Sequence, residues 1–158
     1  MEINKTPMVM EKNRIEFQGN FLYFDQKNLN GVTYTKKVAE KIIEQFKEQR
    51  GEDGVFFGEL GQDRDDAGIN ISNVSHDVIE LKINENNKTL EGTILLLETS
   101  AGKKALEMLK DPNNYSISCR PRGIGKVNDR GEIEEYQIIS FDLIPTSLDS
   151  FGQRDQLK

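Results

Sequence analysis

The chain has 158 residues, of which 35% are hydrophobic and 30% are charged, a size and composition typical of one globular domain. Its formal net charge of -6 argues against nucleic-acid binding driven by net charge, because phosphate neutralisation requires clustered Lys and Arg side chains. No apolar run reaches the length of a membrane span, and the N-terminal residues lack the apolar core of a signal peptide. A single cysteine, Cys119, excludes an internal disulfide and a cysteine-based zinc cluster. These features predict a protein of a reducing cytoplasm that does not bind membranes or nucleic acid.

The order of predicted elements indicates one domain preceded by a short arm. Residues 1–13 are polar and lack periodicity, so we expect an extended N-terminal arm, with a single domain over residues 14–158. The alternating, turn-bounded segments predict about six strands, namely "RIEFQGNFLYFD", "GVFFGEL", "NVSHDVIELKIN", "KTLEGTILLLE", "YSISCR" and "EEYQIISFDLIP". A glycine-containing turn is expected after "YSISCR".

Two segments have helical periodicity. From Thr35, "TKKVAEKIIEQFKEQR" predicts a helix with Thr35 as N-cap, Gly51 beyond its end and one apolar face; that face comprises Val38, Ala39, Ile42, Ile43 and Phe46. The segment "TSAGKKALEMLKDP" predicts a second helix that ends before Pro112 and buries Ala105, Leu106, Met108 and Leu109. Strands and helices in this order indicate an α+β domain, with a barrel-like, mostly antiparallel sheet and two main helices.

The segment "YSISCRPRGIGKV" carries the residues best suited to nucleophilic chemistry. Period-2 alternation places Ser116, Ser118 and Arg120 on one face of the strand. A serine attacks only when a base takes its proton and a third group orients that base, and an arginine can stabilise an oxyanion. The alternative interpretation is a polar strand face with solvated hydroxyls.

The chain offers one histidine, His76, as a base near neutral pH. Extrapolation of the alternation in "NVSHDVIELKIN" places His76 on the face of Glu80, away from a core face that includes Ile79, and thereby favours a surface role. Asp142 is an acid within an apolar strand, which is costly unless the carboxylate is paired. A structural pair with Arg120 or Arg122 is the more common explanation for such an acid.

The glycine-rich and acidic segments do not predict a cofactor or a metal. In "RGIGKV" the spacing is wrong for a dinucleotide fingerprint, and a strand rather than a helix is expected to follow. The acidic loop "DRDDAGIN" lacks the glycine position and terminal glutamate of an EF-hand loop.

Taken in order, these motifs resemble the prohead core proteases of tailed phages, whose fold is shared with the herpesvirus assemblin protease. The resemblance covers about residues 14–147, and its most similar segments are "NLNGVTYTKKVAEKII", "FFGEL", "SISCRPRGIG" and "ISFDLIPTS". It implies a prohead-protease or assemblin-like fold. It also places Asp142 at the position of the third catalytic residue.

At the other catalytic positions the sequence departs from that family. The family has a histidine base and a proline after Gly-Glu-Leu and one variable residue, whereas this chain has Gln62 and Asp63 there. A glutamine amide cannot accept a proton near neutral pH, so general-base catalysis is lost. The nucleophile position matches Ser118 if the adjacent arginine is aligned, and Arg120 if the alignment contains no gap.

The resemblance therefore implies a bacteriophage head assembly protein with a degenerate site, acting as a virion structural, assembly or protease-regulating component. Its expected partners are other head or virion proteins, such as scaffold, capsid or an active protease, and further copies of itself. Its expected location is the host cytoplasm during assembly, and then the virion. One alternative is an active serine endopeptidase that cleaves scaffold and capsid proteins, with His76, Ser118 or Ser116, and Asp142 as catalytic residues. A soluble α+β binding module without enzymatic descent is the other alternative.

Overall fold

A computed structural model describes residues 9–11, 14–28, 30–61, 68–110, 117–145 and 156–157. Within these ranges the chain forms two α-helices and nine strands. The helices are α1 (Lys36–Arg50) and α2 (Ser100–Lys110). The strands are β1 (Val9–Glu11), β2 (Arg14–Tyr23), β3 (Thr33–Tyr34), β4 (Phe57–Glu59), β5 (Val74–Asn84), β6 (Thr89–Leu96), β7 (Ile117–Val127), β8 (Glu132–Pro145) and β9 (Gln156–Leu157). A 3₁₀ turn, Ile71–Asn73, precedes β5.

The strands form two open sheets, so the prediction of a barrel-like sheet is wrong, although the α+β class is confirmed. One sheet has the order β1-β2-β6-β5-β4 and is antiparallel, and the other has the order β3-β8-β7-β9. In the second sheet the long β7–β8 pair is antiparallel, whereas β3 and β9 add in parallel at its edges. The sheets do not close at β4, a three-residue strand with an irregular register at its end. That end meets β8 through the bridge between Leu60 and Leu143 and through hydrogen bonds from the Glu59 and Gly61 N–H groups.

Both helices begin and pack largely as their periodicity predicts. Thr35 caps α1 through its hydroxyl, which accepts a hydrogen bond from the backbone N–H of Val38 at 3.2 Å, and Gly51 ends the helix with a φ of 62°. The face of α1 that the sequence predicts is buried, except that Ile43 is half-buried. In α2 the buried positions are Ala101, Gly102, Ala105 and Leu109, and Leu106 and Met108 are partly exposed.

Aromatic side chains connect the layers in the core. The rings of Phe21 on β2 and Phe141 on β8 lie 5.3 Å apart, and Phe56 lies 6.2 Å from Phe141 and 5.3 Å from Phe46 on α1. This row packs the start of β4 against β8. The side chain of Gln45 adds a polar contact between α1 and the edge of β8.

Two similar asparagine turns fix the β3 edge of the second sheet. In residues 28–32 and again in residues 128–132, the side-chain oxygen of the first asparagine accepts hydrogen bonds from two backbone N–H groups of its own turn. The turns lie side by side, since the N–H of Thr33 donates to the carbonyl of Gly131 at 2.8 Å. The glycine segment after Arg120, predicted as a turn, is instead part of β7, and the reversal occurs at the second asparagine turn.

Candidate functional site

The polar residues of β4, β7 and β8 form a buried charge cluster centred on Arg122. The side chain of Arg122 is 1% exposed, and those of Glu59 and Asp142 are 3% and 5% exposed. The Nε of Arg122 donates to Asp142 Oδ2 at 2.9 Å, and its Nη2 donates to Glu59 Oε2 at 2.8 Å. Its Nη1 donates to the carbonyl of Gly68 at 2.8 Å. We call Glu59, Arg122 and Asp142 the charge cluster.

Asp142 has donors on both carboxylate oxygens. In addition to the bond from Arg122 to Oδ2, Oδ1 accepts from the backbone N–H of Glu59 at 3.0 Å and from the hydroxyl of Ser140 at 2.8 Å. Burial of a carboxylate is costly unless its charge and lone pairs are satisfied, and these contacts meet both conditions. The geometry thus gives Asp142 a structural pairing with Arg122.

Glu59 carries the cluster into the segment before β5. Its carboxylate accepts from the backbone N–H of Asn70 at 3.0 Å and from the side-chain amide of Asn73 at 3.3 Å. Asn73 also donates to the carbonyl of Leu60 at 2.8 Å. One buried cluster therefore holds together two strands of one sheet, an edge strand of the other, and the 3₁₀ turn.

Arg120 is also buried, but the described contacts of its guanidinium are with backbone carbonyls rather than with carboxylates. It lies directly opposite Asp142 in the β7–β8 register, yet its Nη1 donates to the carbonyl of Asn20 at 2.8 Å and to that of Cys119 at 2.9 Å. The bond to Asn20 connects β7 to β2 on the other sheet, whereas the described bonds of Arg122 reach β4 and β8.

His76 is fully buried, so the prediction of an outward-facing ring is wrong. Between Val78 and Glu80 the pairing of β5 with β6 shifts by one residue, and this irregularity reverses the parity on which the extrapolation depended. Ile79, predicted to lie in the core, is only half-buried as a result. The shift is stabilised from α1, because the Nε of Arg50 donates to the carbonyl of Val78 at 3.0 Å.

Both ring nitrogens of His76 are occupied by hydrogen bonds. Nε2 lies 2.7 Å from the carbonyl oxygen of Phe141, and Nδ1 lies 2.7 Å from the hydroxyl of Ser75. Because a carbonyl only accepts, Nε2 carries the proton and Nδ1 accepts from the serine. Burial lowers the pKa of His76 below its ordinary value, while the Phe141 carbonyl and the negative charges of Asp142 and Asp77 oppose that shift.

The candidate serines are placed as follows. Ser118 lies on β7 opposite Ile144 and is 0% exposed, so the expectation of a solvated polar face is wrong at this residue. The ring of His76 bonds to Ser75, also 0% exposed, rather than to Ser118. Ser116 and Gln62 lie outside the described residues.

An open groove of about 300 Å³ lies beside the cluster, between the end of β4, the start of β7 and α2. Its lining combines apolar and polar side chains, among them Leu60, Met108 and Leu143, and Ser72 and Lys104. Ile71, next to Ser72 in the chain, is 73% exposed. Across the ranges that the structure describes, no three His, Cys, Asp or Glu side chains are grouped to hold a metal ion, and neither helix is long and apolar enough to cross a membrane.

Sequence reasoning missed the hydroxyl partners and one steric constraint of this region. Ser140 shares the face of Asp142 two residues along β8, so strand alternation contains the signal for that contact. Ser75 is adjacent to His76, and nothing in the pattern of β5 indicates that their side chains bond. Gly58 is required because a Cβ there would collide with the His76 ring and the Phe141 carbonyl.

No protein-family model matches the chain, and no curated protein matches it in sequence. Among solved structures, the fold is similar to that of the bacteriophage T4 capsid assembly protease, gp21, with a TM-score of 0.66. The similarity covers 88% of this chain and 87% of that chain, at 18% sequence identity. The chain therefore has the fold of a phage capsid assembly protease, and the activity of this chain has to be argued from its own residues.

Proposed function

We propose that the chain is a bacteriophage head assembly protein that keeps the fold of a capsid assembly protease without its catalysis. It acts as a structural, assembly or protease-regulating component of the head, inside the host cell during assembly and then in the virion. The similarity of fold supports the assembly role. The bonding of His76 supports the loss of catalysis, and it is the observation on which the proposal depends.

A serine protease requires a base that can take the proton of its nucleophile while substrate is bound. His76, the single histidine of the chain, is enclosed between the sheets, and both its nitrogens bond to groups other than Ser118. Its protonated nitrogen faces a backbone carbonyl rather than a carboxylate, so no acid orients the ring as in a triad. These contacts make His76 a structural histidine.

The contacts of Asp142 support the same conclusion. In a triad the acid stabilises the imidazolium that forms as the base takes its proton. Here the carboxylate of Asp142 already stabilises the guanidinium of Arg122 and accepts from Ser140 and the Glu59 backbone. A carboxylate that already stabilises a permanent guanidinium is poorly suited to stabilise a transient imidazolium.

Gln62 completes the proposal from the sequence. We infer that it stands where the family has its histidine, and its amide cannot serve as a general base. Loss of the base alone removes several orders of magnitude of rate, since the members of a triad act together. Without a base at position 62, the proposal requires that the chain bind head proteins without cutting them.

The alternative, an active maturation endopeptidase, is favoured by one observation, the likeness to a structure described as a protease. The two functions are separated by reaction of the folded chain with a fluorophosphonate serine probe, beside Ser116→Ala and Ser118→Ala variants. We expect no labelling above that of the unfolded chain. Labelling that disappears in one variant would establish a live nucleophile and overturn the loss of catalysis.

The assembly role needs a separate experiment in the phage that encodes the chain. Deletion of its gene is expected to prevent formation of normal filled heads by electron microscopy. Wild-type, Ser116→Ala and Ser118→Ala genes supplied in trans are all expected to restore them, since the role does not depend on a nucleophile. Normal heads after deletion would refute the assembly role, and failure of one serine variant alone would favour the protease.

A further inference from the structure

The end of β4 and the middle of β8 meet in a narrow seam between the two sheets. We define the seam as residues 58–61 against residues 141–143. Its backbone contacts are the bridge between Leu60 and Leu143 and a hydrogen bond from the Gly61 N–H to the Leu143 carbonyl. The charge cluster adds the bond from the Glu59 N–H to Asp142. These are the described main-chain contacts that join β4 to the second sheet.

The His76 ring bridges this seam from the side of β5. Its register partner on β4 is Gly58, and the ring passes so close to that glycine that any side chain there would strike it. Beyond the glycine, Nε2–H reaches the Phe141 carbonyl on β8. The neutral ring therefore ties β5 to β8 directly over β4.

We infer that His76 is an acid-sensitive clamp, whose neutral ring holds the seam closed and whose protonation releases it. The Ser75 hydroxyl donates to Nδ1, so a proton added there places two donors against each other. The hydroxyl would have to turn to another acceptor inside a site where Ser75 and His76 are both 0% exposed. Separation of the strands admits water and relieves both the donor conflict and the enclosed charge.

The charged groups around the ring do not remove this sensitivity. Asp77 and Asp142 are the described charged side chains near the ring. Asp77 pairs with Arg50, and Asp142 pairs with Arg122, which also binds Glu59. Each aspartate is paired with an arginine, at 2.9 Å in both cases, which weakens its attraction for an imidazolium without removing it. Burial therefore dominates and holds the pKa of His76 below its ordinary value.

The direction of the pH effect follows from this lowered pKa. When the seam opens, the ring meets water and its pKa returns to about 6.5. The open state then binds the proton more readily than the closed state. The closed seam is therefore most stable above about pH 6.5, and its stability falls as the pH decreases from there to the pKa of the closed state. Over that interval the opening constant rises about tenfold per pH unit. Since Leu60, Gly61 and Leu143 also line the groove, opening of the seam alters the groove whether or not the chain cuts peptides.

The experiment uses the full chain with ¹⁵N-labelled histidine, which reports on one residue because the chain has one histidine. At pH 7.5 the spectrum is expected to show the Nε2–H tautomer. Between pH 6.5 and the pKa of the closed state, the hydrogen-exchange protection factors of the Glu59 and Gly61 amides, which donate across the seam, are expected to fall about tenfold per pH unit. Amides of β6 serve as the internal reference and keep their protection.

A serine variant tests the donor conflict. Ser75→Ala removes the bond that favours the neutral ring in the closed state. The fall in seam protection is therefore expected to begin near pH 6.5 as in the wild type, but to level off at a higher pH and to be smaller overall. Ser100→Ala, at an exposed serine, is the matched control and leaves the extent of the fall unchanged. If Ser75→Ala does not fold, the wild-type spectra still decide: an Nδ1–H tautomer, or a ring that titrates near pH 6.5 while seam protection is constant, overturns the clamp.

Discussion

Asp142→Asn is the sharpest test of the charge cluster, because it changes one atom and one charge. The new side chain can keep its oxygen toward the Glu59 N–H and Ser140, which donate to Oδ1 at 3.0 Å and 2.8 Å. Its amide nitrogen then faces the Nε of Arg122, where Oδ2 now accepts at 2.9 Å. Two donors oppose each other, and a buried guanidinium loses one of the two carboxylate partners that lie within the described residues.

Removal of one partner from a buried ion pair typically costs about 3–5 kcal/mol. Arg122 keeps Glu59 at 2.8 Å and the Gly68 carbonyl at 2.8 Å, so we expect the lower end, about 3 kcal/mol. For a chain of this size that corresponds to a fall in Tm of roughly 6–12 °C. The free energy of unfolding should be measured by urea denaturation, with the m-value checked for a change in the unfolded state.

The control is an exposed ion pair in the same hairpin. Lys126 and Glu135 lie 3.6 Å apart with side chains 65% and 68% exposed, so Glu135→Gln should change stability by no more than about 0.5 kcal/mol. A urea midpoint for Asp142→Asn equal to that of the wild type would refute the argument that this carboxylate offsets a buried arginine. Glu59→Gln should lower stability too, and the double variant should lose more than the sum of the two, because each single variant leaves Arg122 one of these acids and the double variant leaves it neither.

Two further substitutions test packing at β8 and at the seam. Gln45→Ala removes an amide that satisfies one donor and one acceptor on the edge of β8, at 2.8 Å and 2.7 Å, and should cost about 1–3 kcal/mol in urea denaturation. Gln49→Ala, on the exposed side of the same helix, should change little, and equal effects would contradict the edge role. Gly58→Ala should prevent stable folding or lower Tm severely, because the methyl group meets the ring of His76. Gly68→Ala is its control, since nothing lies within 4 Å of the added methyl group; a well-folded Gly58→Ala protein would show that the ring can move aside.

The helices were predictable because their signals are local. The apolar spacing of α1, the hydroxyl of Thr35 and the glycine at position 51 all lie within one segment, and each has the expected structural role. The two-residue strands β3 and β9 have no such signal, since they exist only through their pairing with β8 and β7. The sheets stay open where β4 is short and its end irregular. The alternation pattern of the other strands does not reveal either feature of β4.

The error at His76 has an equally specific cause. A period of two transmits the orientation of every residue along a strand, so one extra residue reverses all positions beyond it. The extra residue in β5 is stabilised by Arg50, which is 28 positions distant in sequence, and a reading of β5 alone does not include that contact. The choice between the two arginines was open for a related reason. Both share the parity of one strand face, and alternation does not show that Arg122, two positions along from the residue opposite Asp142, bonds to that acid.

The contacts of the cluster bear on how catalysis would have been lost. If Gln62 were the one departure from an active site, a histidine at that position would meet an acid ready to orient it. Asp142 is instead held by Arg122, and Arg122 is held in turn by Glu59, whose other oxygen accepts from Asn73. Freeing the acid would leave a buried guanidinium short of a partner, at a cost of several kcal/mol. On the proposed function, the charge cluster is therefore part of what folds the domain, and return of a base alone would not restore a protease.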